Sequence, residues 1–244
     1  MVDIVNLTKN YGAKRALSDI NLKINRGEII GLFGENGAGK TTLMKSILGF
    51  IPYDGEILFD GQKITKSNIA KISFATSEHS FFPDITPKAH AQFYKEHFET
   101  FNEKRFTGLM EFFELPMNKN IRHFSTGQKN QFEVILALSQ GADLILMDEP
   151  FAGNDIFNRE DFYKVLLGLL EPNETVLLST HLIEEVSGFI SRAVLISRGR
   201  ILADISAEEI EDSGKTLIDF IKESYSYKPS RVGEALESIR GEEA

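Results

Sequence analysis

Apolar and polar residues change rhythm several times along the chain. Residues 2–7 and 17–24 alternate, with Tyr11-Gly12 between them, which predicts two strands of an antiparallel sheet. Ile29–Phe33 is a short apolar run suited to a strand buried on both faces, and residues 42–51 place their apolar side chains at helical spacing. Residues 56–59 before Asp60-Gly61 predict a short strand and turn, and residues 72–75 another strand. From Glu78 to Ser139 the period is helical, with helices expected over 88–98, 103–113 and 125–139. Beyond that, strands at 144–147, 176–179, 194–196 and 201–203 alternate with helices at 158–170 and 183–190, and a last helix is expected over 217–225. Strands alternating with helices imply a parallel sheet with ligand chemistry at the strands' carboxyl ends.

Composition narrows this picture. Eleven of the 19 phenylalanines fall between Phe74 and Phe132. Large rings fill the small interior of a helical lobe, and Phe81 and Phe82 beside Pro83 are candidates for an exposed groove. No run approaches the ~18 apolar residues of a membrane span, and the start, Met-Val-Asp-Ile-Val, lacks the basic and apolar regions of a signal peptide. The chain has no cysteine, which excludes disulfides, thiolate metal sites and cysteine catalysis. Its net charge of −9 lies mostly in the segment from Asp204 onward, with 11 acidic and 5 basic residues there. Basic clustering of the kind a nucleic-acid binder needs is missing, so no nucleic-acid partner is expected.

The chemistry starts at Gly34-Glu-Asn-Gly-Ala-Gly-Lys-Thr-Thr42. Gly34, Gly39, Lys40 and Thr41 have the spacing of a phosphate-binding loop, between an apolar strand and a helix. Gly34, Gly37 and Gly39 allow the backbone to curl its N–H groups inward, and the following helix adds its positive end. In that frame Lys40 bridges the β- and γ-phosphates and the Thr41 hydroxyl holds Mg²⁺. Asp148 follows an apolar strand, from which a carboxylate reaches the same Mg²⁺; Glu149 beside it can orient or deprotonate the attacking water. Phe124-Ser125-Thr126-Gly127-Gln128 opens a second helix with an N-cap serine and a glycine, a further anion-binding device. The phosphate loop already has its own helix, so this second one suggests a γ-phosphate brought by another subunit. His181 ends a strand on the same sheet edge, within reach of a γ-phosphate. Tyr11 is either a strand-end aromatic or a stacking surface for adenine. GTP is disfavoured, since no guanine-reading [NT]-K-x-D motif occurs.

Together these stretches resemble the nucleotide-binding subunit of ATP-binding-cassette (ABC) transporters over residues 2–205. Tyr11 matches the adenine-stacking aromatic, Gly34 to Thr42 the Walker A motif, and Phe124 to Gln128 the signature. Leu144 to Glu149 matches Walker B, Gly153-Asn154-Asp155 the D-loop and His181 the switch histidine. The resemblance implies an α/β P-loop NTPase fold of ABC type: a mixed core sheet, an N-terminal antiparallel β part and a helical subdomain. It implies an ABC ATPase domain over 1–205, with the helical subdomain at about 78–140 and a short acidic extension at 206–244. ATP would be held by Tyr11, Gly34, Glu35, Asn36, Gly37, Ala38, Gly39, Lys40, Thr41 and Thr42, with Ser125 and Gly127 acting on the ATP of an opposing, head-to-tail subunit. Mg²⁺ would be held by Thr41 and Asp148, and catalysis would rest on Glu149, His181 and Lys40.

The implied partners are a transmembrane permease subunit and a second ABC ATPase subunit, identical or different. The implied location is the cytoplasm, peripheral on the inner face of the cell membrane. The implied function is ATP hydrolysis powering transport, and Ser179-Thr-His-Leu-Ile-Glu-Glu185 leans toward exporters. Two departures stand out. Phe124 and Thr126 replace the usual Leu and first Gly of the signature, and Ser77, with Glu78 one position late, stands where the family carries a glutamine. Asn154 also stands where Leu is common in the D-loop. A weakly catalytic subunit paired with a different cassette protein, or a soluble non-transport ABC ATPase, are the alternatives.

Overall fold

The computed structural model describes residues 1–150 and 156–226, and of residues 156–162 it gives the backbone alone. Two sheets carry the fold. In the first, β1 (Val2–Tyr11) pairs antiparallel with β2 (Lys14–Ile24) on one side and β4 (Asp54–Phe59) on the other, and β5 (Gln62–Lys63) extends the edge. The second contains β3 (Ile29–Phe33), β6 (Ile72–Thr76), β7 (Leu144–Asp148), β8 (Thr175–Ser179), β9 (Arg192–Ser197) and β10 (Arg200–Ser206), in the order β10-β9-β3-β8-β7-β6. Every neighbouring pair in it is parallel except the β9–β10 hairpin. The expected mixed core sheet and N-terminal antiparallel part are both present.

The parallel strands read as unbroken apolar runs because both of their faces are covered. Alternate residues go to different cores. Ile30, Leu32, Leu144, Leu146, Leu177 and Val194 join β1, β2, β4 and helix α1 (Lys40–Ile47). Phe33, Ile145, Met147, Val176, Leu178 and Leu195 join the helical side. There α2 (Pro87–His97), α3 (Glu103–Phe112) and α4 (Thr126–Ser139) fill the stretch between β6 and β7. Phe132 of α4 is the hub of that lobe, fully buried, with the rings of Phe81, His90, Phe106 and Phe124 centred 5.2 to 6.3 Å away. The phenylalanines do fill a small interior. Emptying such a site to alanine costs about 3–5 kcal/mol. Phe82 and Phe112 remain about half exposed.

Two polar ties fix the lobe to the sheet. Arg105 of α3 is buried and donates to both oxygens of Glu174 (2.7 and 3.1 Å), and to the carbonyls of Leu138 and Leu169. Glu133 of α4, also buried, accepts from the Ser80 amide and hydroxyl, clipping the loop after β6 to the helix. Burial pushes the Glu133 carboxyl above its usual range, while the Ser80 bonds pull it back.

Boundaries moved in two places. The helix expected over 183–190 is only α6 (Ile183–Val186), because the chain turns to place the Ser191 amide on the Ile29 carbonyl (2.8 Å) at the start of β9. After β10 comes α7 (Ala207–Asp212), which the apolar pattern missed, then α8 (Leu217–Ser224). The described part of the acidic segment packs onto the fold: Ile210, Leu217 and Ile221 are buried in the helical-side core, and the Tyr225 hydroxyl donates to the Ile196 carbonyl (2.9 Å). Between α4 and this segment, α5 (Ile156–Leu169) connects β7 to β8.

Candidate nucleotide site

β3 ends at Phe33, and the chain wraps through Gly34–Gly39 into α1. Two glycines there are obligatory. A Cβ on Gly34 would sit 2.4 Å from the Ile196 carbonyl oxygen. Gly39 has φ of 118°, and a Cβ there would lie 2.9 Å from the Ala16 carbonyl. The loop is therefore pressed against β2 and β9, and the Ala38 carbonyl accepts from the Gly199 amide (2.9 Å). Helices α2, α3, α4, α7 and α8 all begin on a side chain that caps their first turn: Thr86, Asn102, Ser125, Ser206 and Thr216. Helix α1 begins on Gly39 and has no side-chain cap. Its first N–H groups are thus available to an anion, where the helix dipole also favours negative charge.

A cleft of about 240 Å³ lies over this turn, lined by Tyr11, Lys14, Ala16, Asn36, Gly37, Gly39, Lys40, Thr41, Thr42, Asp148 and Glu149. Tyr11 is half exposed, with the Lys9 ammonium 4.8 Å from its ring centre. Lys40 is buried and folds back on its own loop, its Nζ donating to the carbonyls of Gly34 (2.7 Å) and Glu35 (3.3 Å). The Thr41 hydroxyl donates to Asp148 Oδ2 (2.5 Å) across the cleft floor. Asp148 Oδ1 accepts from the buried Ser179 hydroxyl (2.5 Å). Glu149 follows in a left-handed turn (φ 48°), its amide bonded to the Ser179 carbonyl and hydroxyl. Its Oε2 is 2.8 Å from His181 Nδ1. Gly34, Glu35 and His181 line a second cavity of about 290 Å³ together with Ile221 and Tyr225.

Most of the residues expected from the sequence thus converge at the ends of β3, β7 and β8. Ser125 and Gly127 do not. They open α4 in the helical lobe and take no part in lining the cleft. Ser125 is exposed and exchanges capping bonds with Gln128. Neither Ser77 nor Glu78 lines the cleft, and Glu78 pairs instead with Lys45 of α1 (2.7 Å). Gly153, Asn154 and Asp155 lie outside the described residues. Lys14, Ala16 and Ser179 were not singled out from the sequence. Lys14 and Ala16 reach the cleft through the β1–β2 hairpin, and Ser179 reaches Asp148 through strand register.

Thr41 and Asp148 offer two hard oxygen donors at one point, one of them anionic. That set suits Mg²⁺, which binds through one or two carboxylates together with substrate phosphates. Among the described residues no group of three or more His, Cys, Asp or Glu forms a metal cage of its own.

The profile of the family described as "ABC transporter" matches residues 17–152. The chain is 30% identical to the ABC transporter ATP-binding protein YtrB of Bacillus subtilis (strain 168) over 216 residues, 87% of this chain and 74% of that one. It is 31% identical to the lipopolysaccharide export system ATP-binding protein LptB of Escherichia coli (strain K12) over 217 residues, 84% of this chain and 90% of LptB. Among solved structures, an ATP-binding subunit of an ABC transporter superposes with a TM-score of 0.82 at 22% identity, covering 92% of this chain and 99% of that one. A dimeric ATP-binding cassette in a post-hydrolysis state with ADP and Pi gives 0.75 at 23%, covering 85% and 99%. Among the described residues no helix is long and apolar enough to cross a membrane. ATP-binding subunits of this family work with membrane permease components. The chain belongs to the ABC transporter family, as an ATP-binding subunit and an ATPase.

Proposed function

We propose that the protein is the ATP-hydrolysing subunit of an exporter, with residues 1–205 as its ATPase domain, 78–140 as the helical subdomain and 206–244 as an extension. It sits peripherally on the inner face of the cell membrane through its permease. The observation carrying this reading is the continuous chain Thr41–Asp148–Ser179–Glu149–His181, which links a phosphate loop to a carboxylate that can act as base. Export is supported by the LptB relatives and by a Nod factor export protein of Cupriavidus pinatubonensis, 28% identical over 222 residues.

Tyr11 stacks on the adenine, and the amides from Asn36 to Thr42 hold the phosphates, with Gly34, Glu35 and Ala38 shaping the loop. Lys40 moves from the Gly34 and Glu35 carbonyls to the phosphate oxygens. Thr41 and Asp148 would hold Mg²⁺, which would supply positive charge against that developing on the transferred phosphoryl group. Glu149 takes the proton of the attacking water, a role worth roughly 10²–10⁴ in rate. With its Nδ1 2.8 Å from the Glu149 carboxylate, His181 fixes the orientation of that base. Ser125 and Gly127 complete the site of an opposing subunit.

The test is Glu149→Gln with ATP and Mg²⁺, read as mass in solution by light scattering. We expect the 27.4 kDa chain to double its mass only when ATP is present. A persistent monomer would assign the opposing half to a different cassette chain.

A further inference from the structure

Asp148 ends β7 between two strands, in register with Thr76 of β6 and Ser179 of β8. The Thr76 hydroxyl is turned to the Glu78 amide (3.3 Å). Ser179, fully buried, puts its hydroxyl 2.5 Å from Asp148 Oδ1, while Thr41 takes Oδ2. The same Ser179 oxygen accepts from the Glu149 amide (3.2 Å), and the Ser179 carbonyl accepts from it as well (3.1 Å). Glu149 is held there in the left-handed region, which a residue with a side chain seldom adopts unless its surroundings enforce it. One hydroxyl therefore governs two adjacent carboxylates. It fixes the rotation of the first, and it fixes the backbone turn that aims the second at His181.

We infer that Ser179 is a positioning residue for hydrolysis, setting Asp148 toward the cation and Glu149 toward the water. The inference rests on the proposed Mg²⁺ site at Thr41 and Asp148. Thr41 and Asp148 would hold the cation in that site, and Ser179 is the donor on the Asp148 oxygen that Thr41 does not take. Loss of the hydroxyl leaves the Asp148 carboxylate free to rotate at the end of its strand. A bond of this kind, made to a ligand rather than to the metal, governs affinity by roughly 10- to 100-fold.

The experiment measures Mn²⁺ binding by electron paramagnetic resonance on the full chain, saturated with a non-hydrolysable ATP analogue. Ser179→Ala is expected to weaken Mn²⁺ roughly 10- to 100-fold. Analogue affinity in chelator, measured by calorimetry, should stay unchanged. Ser179→Thr, which keeps the hydroxyl, should bind Mn²⁺ more tightly than Ser179→Val, which has the same shape without it. That matched pair decides the matter even if the alanine variant folds poorly. If Thr and Val variants bind Mn²⁺ equally while Asp148→Asn loses it, the role assigned to Ser179 is wrong and the cation site stands. If Asp148→Asn also binds Mn²⁺ as the unaltered chain does, the cation site and this inference fall together.

Discussion

The proposed function assigns a phosphate to two helix starts in this protein, and they are built in opposite ways. Helix α1 begins on a glycine, with no cap, inside a cleft that the two sheets complete, one with Tyr11 and the other with Asp148 and Glu149. Helix α4 begins on Ser125 in a closed capping box, on an exposed edge of the phenylalanine-rich lobe, away from that cleft. The first is a site made by strand ends lying side by side. The second contributes nothing to the chain's own cleft. Under the proposed mechanism, the difference means that a single copy contains everything for binding and only part of what hydrolysis uses.

The strongest way to break this contrast is Ser125→Arg. It should leave ATP affinity unchanged by calorimetry and lower turnover by about 10³–10⁵, the range of a trans-acting group in phosphoryl transfer. Full turnover in that variant would mean that α4 has no part in the reaction. Lys40→Ala acts on the other helix start and should weaken ATP binding by about 2–5 kcal/mol, as expected when one partner of a buried charge pair is removed. Near-normal affinity there would undo the phosphate-loop assignment. Tyr11→Ala should cost a smaller amount, about 1–3 kcal/mol of ATP binding, with triphosphate alone bound as before. Equal losses for ATP and triphosphate would show that Tyr11 supports the loop and does not stack on the base.

The smallest effect concerns the helical lobe alone. His90 is buried, its Nδ1 on the Thr86 carbonyl and its Nε2 accepting from the Phe82 amide, so both nitrogens are satisfied in the neutral ring. Burial lowers its pKa below the usual histidine value, and the Thr86 bond opposes this in part. The folded state thus binds this proton less readily than the unfolded one. The stabilisation is present above about pH 6.5 and is lost as pH falls through the lowered value. Thermal unfolding followed from pH 7.5 to 5 should show this loss, and His90→Gln, which keeps an acceptor without titrating, should flatten it. Unchanged slopes would mean that His90 does not set the pH dependence.

Much of the architecture was legible because the parallel strands are buried on both faces and the phosphate loop has a fixed spacing. Asp148 and Glu149 could be placed at the cleft because a phosphate loop gives two carboxylates after an apolar strand a use beyond starting a helix or turn. The misses are of a different kind. Ile183, Val186, Phe189 and Ile190 keep a helical period, yet the turn to β9 stops the helix at Val186. Helix α7 has only Ile210 buried, so no apolar stripe announced it, although Ser206 and Glu209 form a capping box that the sequence displays. Ser179 could not be read from local pattern at all. Its meaning comes from register with a strand 31 residues earlier.

The bare start of α1 has one more consequence. A helix whose first turn is finished by a nucleotide makes folding and binding parts of a single equilibrium. At a nucleotide concentration one hundred times its dissociation constant, the native state gains about 2.7 kcal/mol. The melting temperature of this protein should then rise with each tenfold increase in nucleotide, and so act as a gauge of occupancy that requires no turnover.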